Sequence, residues 1–218
     1  MELNKNNTFL INLDRRPDKL EESAKQLTQV GLEFTRIAAI DGKDLPSNEL
    51  TGPQQGCFLS HKMAWQRIIQ DGLSYALIFE DDICFSDDFN KRFSCILNRL
   101  ENMNWEHFHL GPVTYDHFIS PIDDLIAKIV GSFWGAHGYL LTNKGAHILV
   151  SNSQIIPVDF FICWRMYEAG HLNEQMTQTH PQRILIYPSC VALIKKSLHF
   201  WRLIGPHGSR TRFHETSY

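Results

Sequence analysis

Several catalytic signatures are missing from this sequence. Its 218 residues hold no G-x-G-x-x-G, no Walker lysine pattern and no G-x-S-x-G elbow. Dinucleotide-binding, ATP-loop and serine-hydrolase readings therefore lose support. Cysteine is sparse, odd in number and without a C-x-x-C pair: Cys57, Cys84, Cys95, Cys163 and Cys190. That disfavours a disulfide framework or a zinc knuckle and points to a reducing compartment. Long apolar runs are also absent. Stretches such as Tyr75 to Phe79 reach five residues, against the ~20 needed to span a bilayer. The opening Met1–Asn7 is polar, so no secretion leader is expected. Neither an internal repeat nor a low-complexity segment occurs. A net charge of −3 with a pI near 6.4 excludes a chain that coats nucleic acid.

The composition is that of a globular domain, with 43% hydrophobic and 21% charged residues. The chain is long enough to bury roughly 70% of its unfolded surface. Thr8–Leu13 reads as a buried strand, followed by the turn Asp14–Asp18. Leu20, Ala24, Leu27 and Val30 recur at helical spacing up to Gly31, and Phe34–Ile40 reads as a second strand. Strand, helix, strand predicts a right-handed crossover in a mostly parallel sheet flanked by helices, an α/β fold. Asp41–Pro53 reads as a loop, Gln54–Gln70 as a helix and Leu73–Phe79 as a strand. Phe89–Met103 (helix), Phe108–Leu110 (strand), Ser132–Leu141 (strand), Asn143–Val150 (helix), Val158–Ala169 (helix) and Ile184–Tyr187 (strand) follow. Residues 111–131 lack clear periodicity. The last 24 residues carry two Lys and three Arg against one Glu, leaving −7 on residues 1–194. The reading divides the chain into a domain over 1–194 and a basic aromatic tail over 195–218.

Glu80-Asp81-Asp82 is the sharpest chemical feature. Three adjacent acids ending an apolar strand repel one another unless solvated or neutralised by a cation, and their oxygens suit Mg²⁺ or Mn²⁺. Ligands of open α/β sheets bind at the carboxyl ends of strands, where this cluster falls. Strand alternation points Glu80 and Asp82 to one side and Asp81 to the other. Such an acid-x-acid pair can hold a metal that bridges two phosphates. Asn12-Leu13-Asp14-Arg15-Arg16 ends the first strand, a common place to meet a nucleotide, and Arg15 or Arg16 could reach a phosphate. His61 shares a helix face with Phe58, Trp65 and Ile69, so a core histidine competes with a functional one. Asp159 opens a helix after Pro157. It serves either that helix dipole or an acceptor hydroxyl as general base. Trp134–Tyr139 combines small residues with aromatics that could stack on a sugar. The tail, with Lys195, Lys196, Arg202, Arg210, Arg212 and Trp201, could lie on an anionic membrane.

In order along the chain, FLINLDRRPDK, FTRIAAIDGKDL, GCFLSHKMAWQRII, ALIFEDDI, FWGAHGYLLTNKGAHIL and IIPVDFF resemble glycosyltransferase family 25. This family includes bacterial lipooligosaccharide galactosyltransferases and the collagen galactosyltransferase domain. The resemblance runs from about residue 8 to about residue 162. It implies a GT-A type fold, a UDP-sugar donor (most often UDP-galactose), inversion at the anomeric carbon and dependence on Mn²⁺ or Mg²⁺. It assigns Asp82, with Glu80, to the metal. It places Asn12, Leu13, Arg15, Arg16, Asp41, Gly42, Ser60, His61 and Glu80 near the donor. Asp159 matches the aspartate of the family's proline-valine-aspartate motif. Asp81 and Asp159 are the candidate catalytic carboxylates, with Asp159 as base. The similarity loosens after residue 163, where His199 is a candidate metal ligand by position alone.

The expected reaction is single-displacement transfer of a hexose to a hydroxyl of a lipid-linked lipooligosaccharide core. The expected location is the cytoplasm, peripheral to the inner membrane face through the tail. Two rivals stand beside it. One is a non-catalytic protein of the same fold used for adhesion. The other is a metal-dependent phosphohydrolase, although no D-x-D-x-T nucleophile context is present.

Overall fold

The computed structural model describes residues 1–46, 49–111, 119–129, 135–152, 154–162 and 164–166, together with two short strands near the C-terminus. Its strands are β1 (Thr8–Asn12), β2 (Thr35–Ala38), β3 (Tyr75–Glu80), β4 (Ile83–Phe85), β5 (His107–His109), β6 (Ile119–Pro121), β7 (Ala127–Ile129), β8 (Gly138–Thr142), β9 (Ile184–Ile186) and β10 (Ile194–Lys196). Its helices are α1 (Pro17–Gln29), α2 (Gly52–Gln70), α3 (Phe89–Leu100) and α4 (Asn143–Val150), with a 3-10 turn at Gly42–Asp44. Residues 158–162 and 164–166 are also helical.

One eight-stranded sheet runs in the order β2-β1-β3-β8-β5-β9-β7-β6. β2, β1 and β3 are parallel, as the opening strand-helix-strand pattern requires, and so are β5 and β9. The sheet becomes mixed beyond β3, because β8 enters antiparallel between β3 and β5 and β7 and β6 close the edge antiparallel. This departure from a mostly parallel sheet has a consequence for the site. An antiparallel β8 brings its lead-in, rather than its end, to the carboxyl end of β3. The α/β architecture is otherwise the expected one, an open sheet between helices with an acidic turn at the carboxyl edge, as the GT-A type requires.

Alternation along the strands divides the core into two layers. Phe9, Ile11, Ala76, Ile78, Tyr139 and Leu141 pack under α2, α4 and the helical residues from 158 onward, against Phe58, Trp65, Leu149 and Phe161. Leu10, Leu77, Phe79 and Leu140 face the other way, onto Leu27 of α1 and Phe93, Ile96 and Leu100 of α3. β1 is buried along its whole length, as a strand covered on both faces must be.

The helix boundaries follow local chemistry. α1 starts on Pro17, and the chain leaves it through Gly31 at φ 75°. α2 begins at Gly52, two residues ahead of the expected start, because Thr51 and Gln54 form a reciprocal capping box. α3 ends at Leu100 instead of Met103. β4, β6, β7 and β10 were not foreseen; each has three residues, too few for periodicity to register. β10 pairs with β4, so the boundary expected after residue 194 falls inside a strand. The rest of the tail, His199 included, lies outside the described residues.

Three glycines lock the expected loop onto α2. A Cβ on Gly42 would stand 1.9 Å from the Gly52 carbonyl oxygen, and one on Gly56 would stand 2.6 Å from that of Ile40. In an open helix interior, Gly56→Ala would stabilise by about 1 kcal/mol. Here the sign reverses. We expect Gly56→Ala to lower the unfolding free energy by about 1–3 kcal/mol through overpacking, read as a fall in denaturant midpoint; a higher midpoint would contradict this packing.

Candidate functional site

The parallel register fixes the site. Ile11 stands opposite Glu80, so the next residues, Asn12 and Asp81, emerge side by side at the carboxyl edge. Asn12, only 2% exposed, is a four-way connector there. Its Nδ2 donates to Asp81 Oδ2 at 2.6 Å and to the Arg16 carbonyl at 2.9 Å. Its Oδ1 accepts from Arg36 Nε at 2.9 Å, and its own carbonyl accepts from the same guanidinium at 3.1 Å. One amide side chain thus ties the β1 turn, β2 and the acidic turn together.

The acids part across the sheet. Glu80 faces α2: His61 Nε2 lies 3.1 Å from its Oε1 and the Cys57 thiol 3.7 Å from the same oxygen. Asp81 faces the opposite way, to Asn12, as strand alternation requires. Asp82 completes the two-residue turn into β4, with one carboxylate oxygen sealed from solvent. Burial is the largest influence on Asp81 and pushes its pKa up. The Asn12 hydrogen bond opposes this, and the neighbouring Glu80 charge adds to it.

His61 is buried, so the expectation of a core position holds, but both of its ring nitrogens are engaged. Nδ1 lies 2.8 Å from the Tyr139 hydroxyl, which also accepts from Trp65 Nε1 at 2.8 Å. Burial keeps the Tyr139 phenol well above its ordinary pKa. The lead-in to β8 reaches the same edge. The His137 carbonyl accepts the Glu80 N–H at 3.0 Å, and Gly135, at φ 86°, accepts through its carbonyl from the His109 ring. Asp159 holds this lead-in from the far side: its Oδ2 accepts the Gly135 N–H at 3.1 Å and its Oδ1 the Phe160 N–H at 3.0 Å. Beneath lies His107, which complete burial pushes down to about 3.

The basic turn is paired within the protein. Arg15 bonds Asp41 at 2.5 Å, and its guanidinium holds that carboxyl below its ordinary range. Arg16 bonds Asp18 at 2.7 Å. The Leu13 carbonyl closes the turn by accepting the Arg16 N–H. Ser60 is buried and structural in its contacts: it accepts the Ile40 N–H at 2.8 Å and donates to the Gly56 carbonyl at 2.6 Å. Gly42 is the glycine packed on Gly52.

The structure thus joins Asn12, Arg16 and Asp81 in one group and His61 with Glu80 in another. Arg15 with Asp41 forms a third, and Asp159 acts through Gly135. Sequence reasoning missed Arg36 and Cys57, and it read Tyr139 as an aromatic that could stack on a sugar, whereas the ring is buried with its hydroxyl on His61 and Trp65. A charge inside a predicted strand was the available signal for Arg36, and spacing i, i+4 to His61 was the signal for Cys57.

A group whose pKa rises on folding costs stability once it ionises. We expect Asp81→Asn, which keeps an acceptor for Asn12, to raise the melting temperature at pH 7. The gain should fade as pH falls through the raised Asp81 value and be gone below the ordinary carboxylate value of 3.8. Acid losses from His107 are common to both proteins and cancel in the comparison. A melting temperature lowered at pH 7 would show that the ionised form is the favoured one.

A family model for glycosyltransferase family 25 (LPS biosynthesis protein) matches residues 5–162. Procollagen galactosyltransferase 1-A of Xenopus laevis is 27% identical over 208 residues, covering 82% of this chain and 34% of its own length. A glycosyltransferase 25 family member of Drosophila melanogaster is 28% identical over 219 residues, covering 88% and 35%. The probable inactive glycosyltransferase 25 family member 3 of Bos taurus is 27% identical over 195 residues, covering 77% and 32%. The chain therefore spans about a third of the length of these curated relatives. Among solved structures, a UDP-glucose pyrophosphorylase complexed with UDP-glucose aligns at TM-score 0.49 and 10% identity, over 85% of this chain and 90% of that one. A glycosyltransferase involved in glycosylation of the major capsid of PBCV-1 aligns at 0.47 and 9%, over 85% and 94%. With six motifs in order and a family match over residues 5–162, the chain belongs to glycosyltransferase family 25.

Proposed function

We propose that the chain is a metal-dependent inverting glycosyltransferase. It moves a hexose, galactose first among the choices, from a UDP-sugar to a sugar hydroxyl of a lipooligosaccharide-type acceptor. The observation that carries this reading is the Asn12–Asp81 hydrogen bond. It joins the basic turn after β1 to the acidic turn after β3 on one carboxyl edge, where open α/β sheets bind nucleotides.

The acidic turn suits Mn²⁺ or Mg²⁺ in its chemistry. Three successive carboxylates supply hard oxygen donors, and both burial and the Glu80 charge disfavour ionised Asp81 in the bare protein. Asp82 and Glu80 would hold the ion, with Asp81 kept in place by Asn12. When bound, it would offset the charge that develops on the departing diphosphate. Arg16 lies beside this turn, close enough to feel the Asp81 charge, and Arg15 and Arg16 can exchange Asp41 and Asp18 for phosphate. Asp159 is the carboxylate assigned to the acceptor proton. An acceptor carried on a lipid would bring the basic tail near an anionic surface. Among the described residues no helix is long and apolar enough to cross a membrane.

UDP release from a panel of UDP-sugars, with and without Mn²⁺ and with a truncated lipooligosaccharide acceptor, tests the reading. Metal-dependent release with one preferred hexose is expected, and Asp82→Ala should abolish it without loss of the folded state. Asp159→Asn keeps an acceptor for the Gly135 amide but cannot take a proton. It should lower kcat by about 10²–10⁴-fold. Near-normal turnover in Asp159→Asn would reassign Asp159 to holding the Gly135 turn. Donor binding without release in the unaltered protein would favour a non-catalytic role, a reading in keeping with the name of the Bos taurus relative.

A further inference from the structure

Cys57, His61 and Glu80 present a thiol, an imidazole and a carboxylate whose ligand atoms all lie within 4.8 Å of one another. We propose that this triad is a binding site for a soft divalent cation of the Zn²⁺ class, distinct in chemistry from the hard-ion role of the acidic turn. The inference rests on these three side chains and not on sugar transfer, although Glu80 is common to both sites.

Four observations support the assignment. Cys57 and His61 stand four residues apart on α2, which puts both donors on one helix face. Glu80 closes the set from the end of β3. Its Oε1 lies 3.1 Å from His61 Nε2 and 3.7 Å from Cys57 Sγ. Tetrahedral Zn²⁺, with bonds of ~2.0–2.3 Å, spaces its ligands by roughly 3.3–3.8 Å, so both Glu80 distances lie near that spacing, and the Cys57 and His61 donors, within 4.8 Å of each other, reach it by side-chain adjustment. Tyr139 supplies the outer contact that metal-bound histidines use, on the opposite ring nitrogen at 2.8 Å. Its protonated hydroxyl can donate to Nδ1 when Nε2 bears hydrogen, and can turn to accept from Nδ1–H when Nε2 binds an ion. The Trp65 N–H stays bonded to the same oxygen in either state. The thiol is half-buried and His61 fully buried, which gives the ion an entrance on one side and a dry wall on the other. Three protein ligands leave a fourth position open, as in sites that exchange their ion or hold a further ligand.

Binding takes the Cys57 proton to solvent and leaves a thiolate-metal bond, so acid weakens it. It also removes Glu80 from the hard-ion set. Zn²⁺ bound here would therefore oppose any Mn²⁺-dependent chemistry at the acidic turn.

Co²⁺ titration of the full chain tests this directly. A thiolate ligand gives sulfur-to-cobalt charge-transfer absorption in the near ultraviolet. The expected result is a one-to-one band that Zn²⁺ abolishes, that equal Mg²⁺ leaves intact, and that Cys57→Ser eliminates while Cys84→Ser and Cys95→Ser retain it. Tyr139→Phe should weaken Co²⁺ binding about tenfold. Should Cys57→Ser fail to fold, protection of Cys57 from alkylation by Zn²⁺ in the unaltered chain, read by peptide mass spectrometry, gives the same answer. No band, a band that survives Cys57→Ser, a band removed by Mg²⁺, or Cys57 alkylated equally with and without Zn²⁺ would each overturn the site. Loss of UDP release with the band intact would count against the transfer reading alone.

Discussion

The side chain of Asn12 is the constraint on which the rest of the candidate site depends. It sits at the end of β1 where parallel pairing places it beside Asp81, and it is nearly sealed from solvent. A buried amide must find partners for its donors and acceptor. Asn12 finds them in the acidic turn, the Arg16 carbonyl and the Arg36 guanidinium. Removing it would leave a partly buried arginine and a partly buried carboxylate without their common partner, at a cost in stability. The geometry of the basic turn and of the acidic turn is therefore set by one residue that need not touch any ligand.

The second organising fact is the direction of β8. Because it runs antiparallel to β3, the segment before it arrives at the acidic edge, and the His137 carbonyl caps the Glu80 amide. Asp159 and His109 hold Gly135 from either side of this segment. The edge thus has two walls, one from the β1 turn and one from the β8 lead-in. The acids between them split their contacts: Asp81 to the α1 side and Glu80 to the α2 side. Glu80 consequently lies among softer donors than its neighbours in sequence, which is the root of the mixed Cys57–His61–Glu80 chemistry.

Much of this was legible in the sequence, for identifiable reasons. β1 and α4 fall within a residue of their expected bounds, and β3 starts two residues later than expected, because short apolar runs between polar residues and a clean cap at Thr142 leave little choice. The acidic turn was placed at a strand end by composition alone. The three-residue strands could not be seen, since pairing and not periodicity makes them. Nor does a local pattern reveal that β8 would enter antiparallel, because strand direction is decided by tertiary packing. His61 shows the limit most clearly. Its helix face correctly predicted burial, yet only the register of β3 against α2 and β8 reveals that Glu80 and Tyr139 engage both of its nitrogens. Asp159 was read as a helix-start residue or a base, and its contact with Gly135, 24 residues earlier, has no sequence signature.

The central claim is that the carboxyl edge around Asn12 and the acidic turn binds a nucleoside diphosphate with a hard cation. Titration calorimetry of UDP against the full chain, with Mn²⁺ present or removed by chelation, measures it most directly, with Asn12→Ala as the companion. The expected result is Mn²⁺-dependent UDP binding in the unaltered protein, weakened about tenfold or more in Asn12→Ala, as loss of a supporting contact does at a metal site. UDP binding that ignores Mn²⁺, or that Asn12→Ala leaves unchanged in a folded protein, would contradict it.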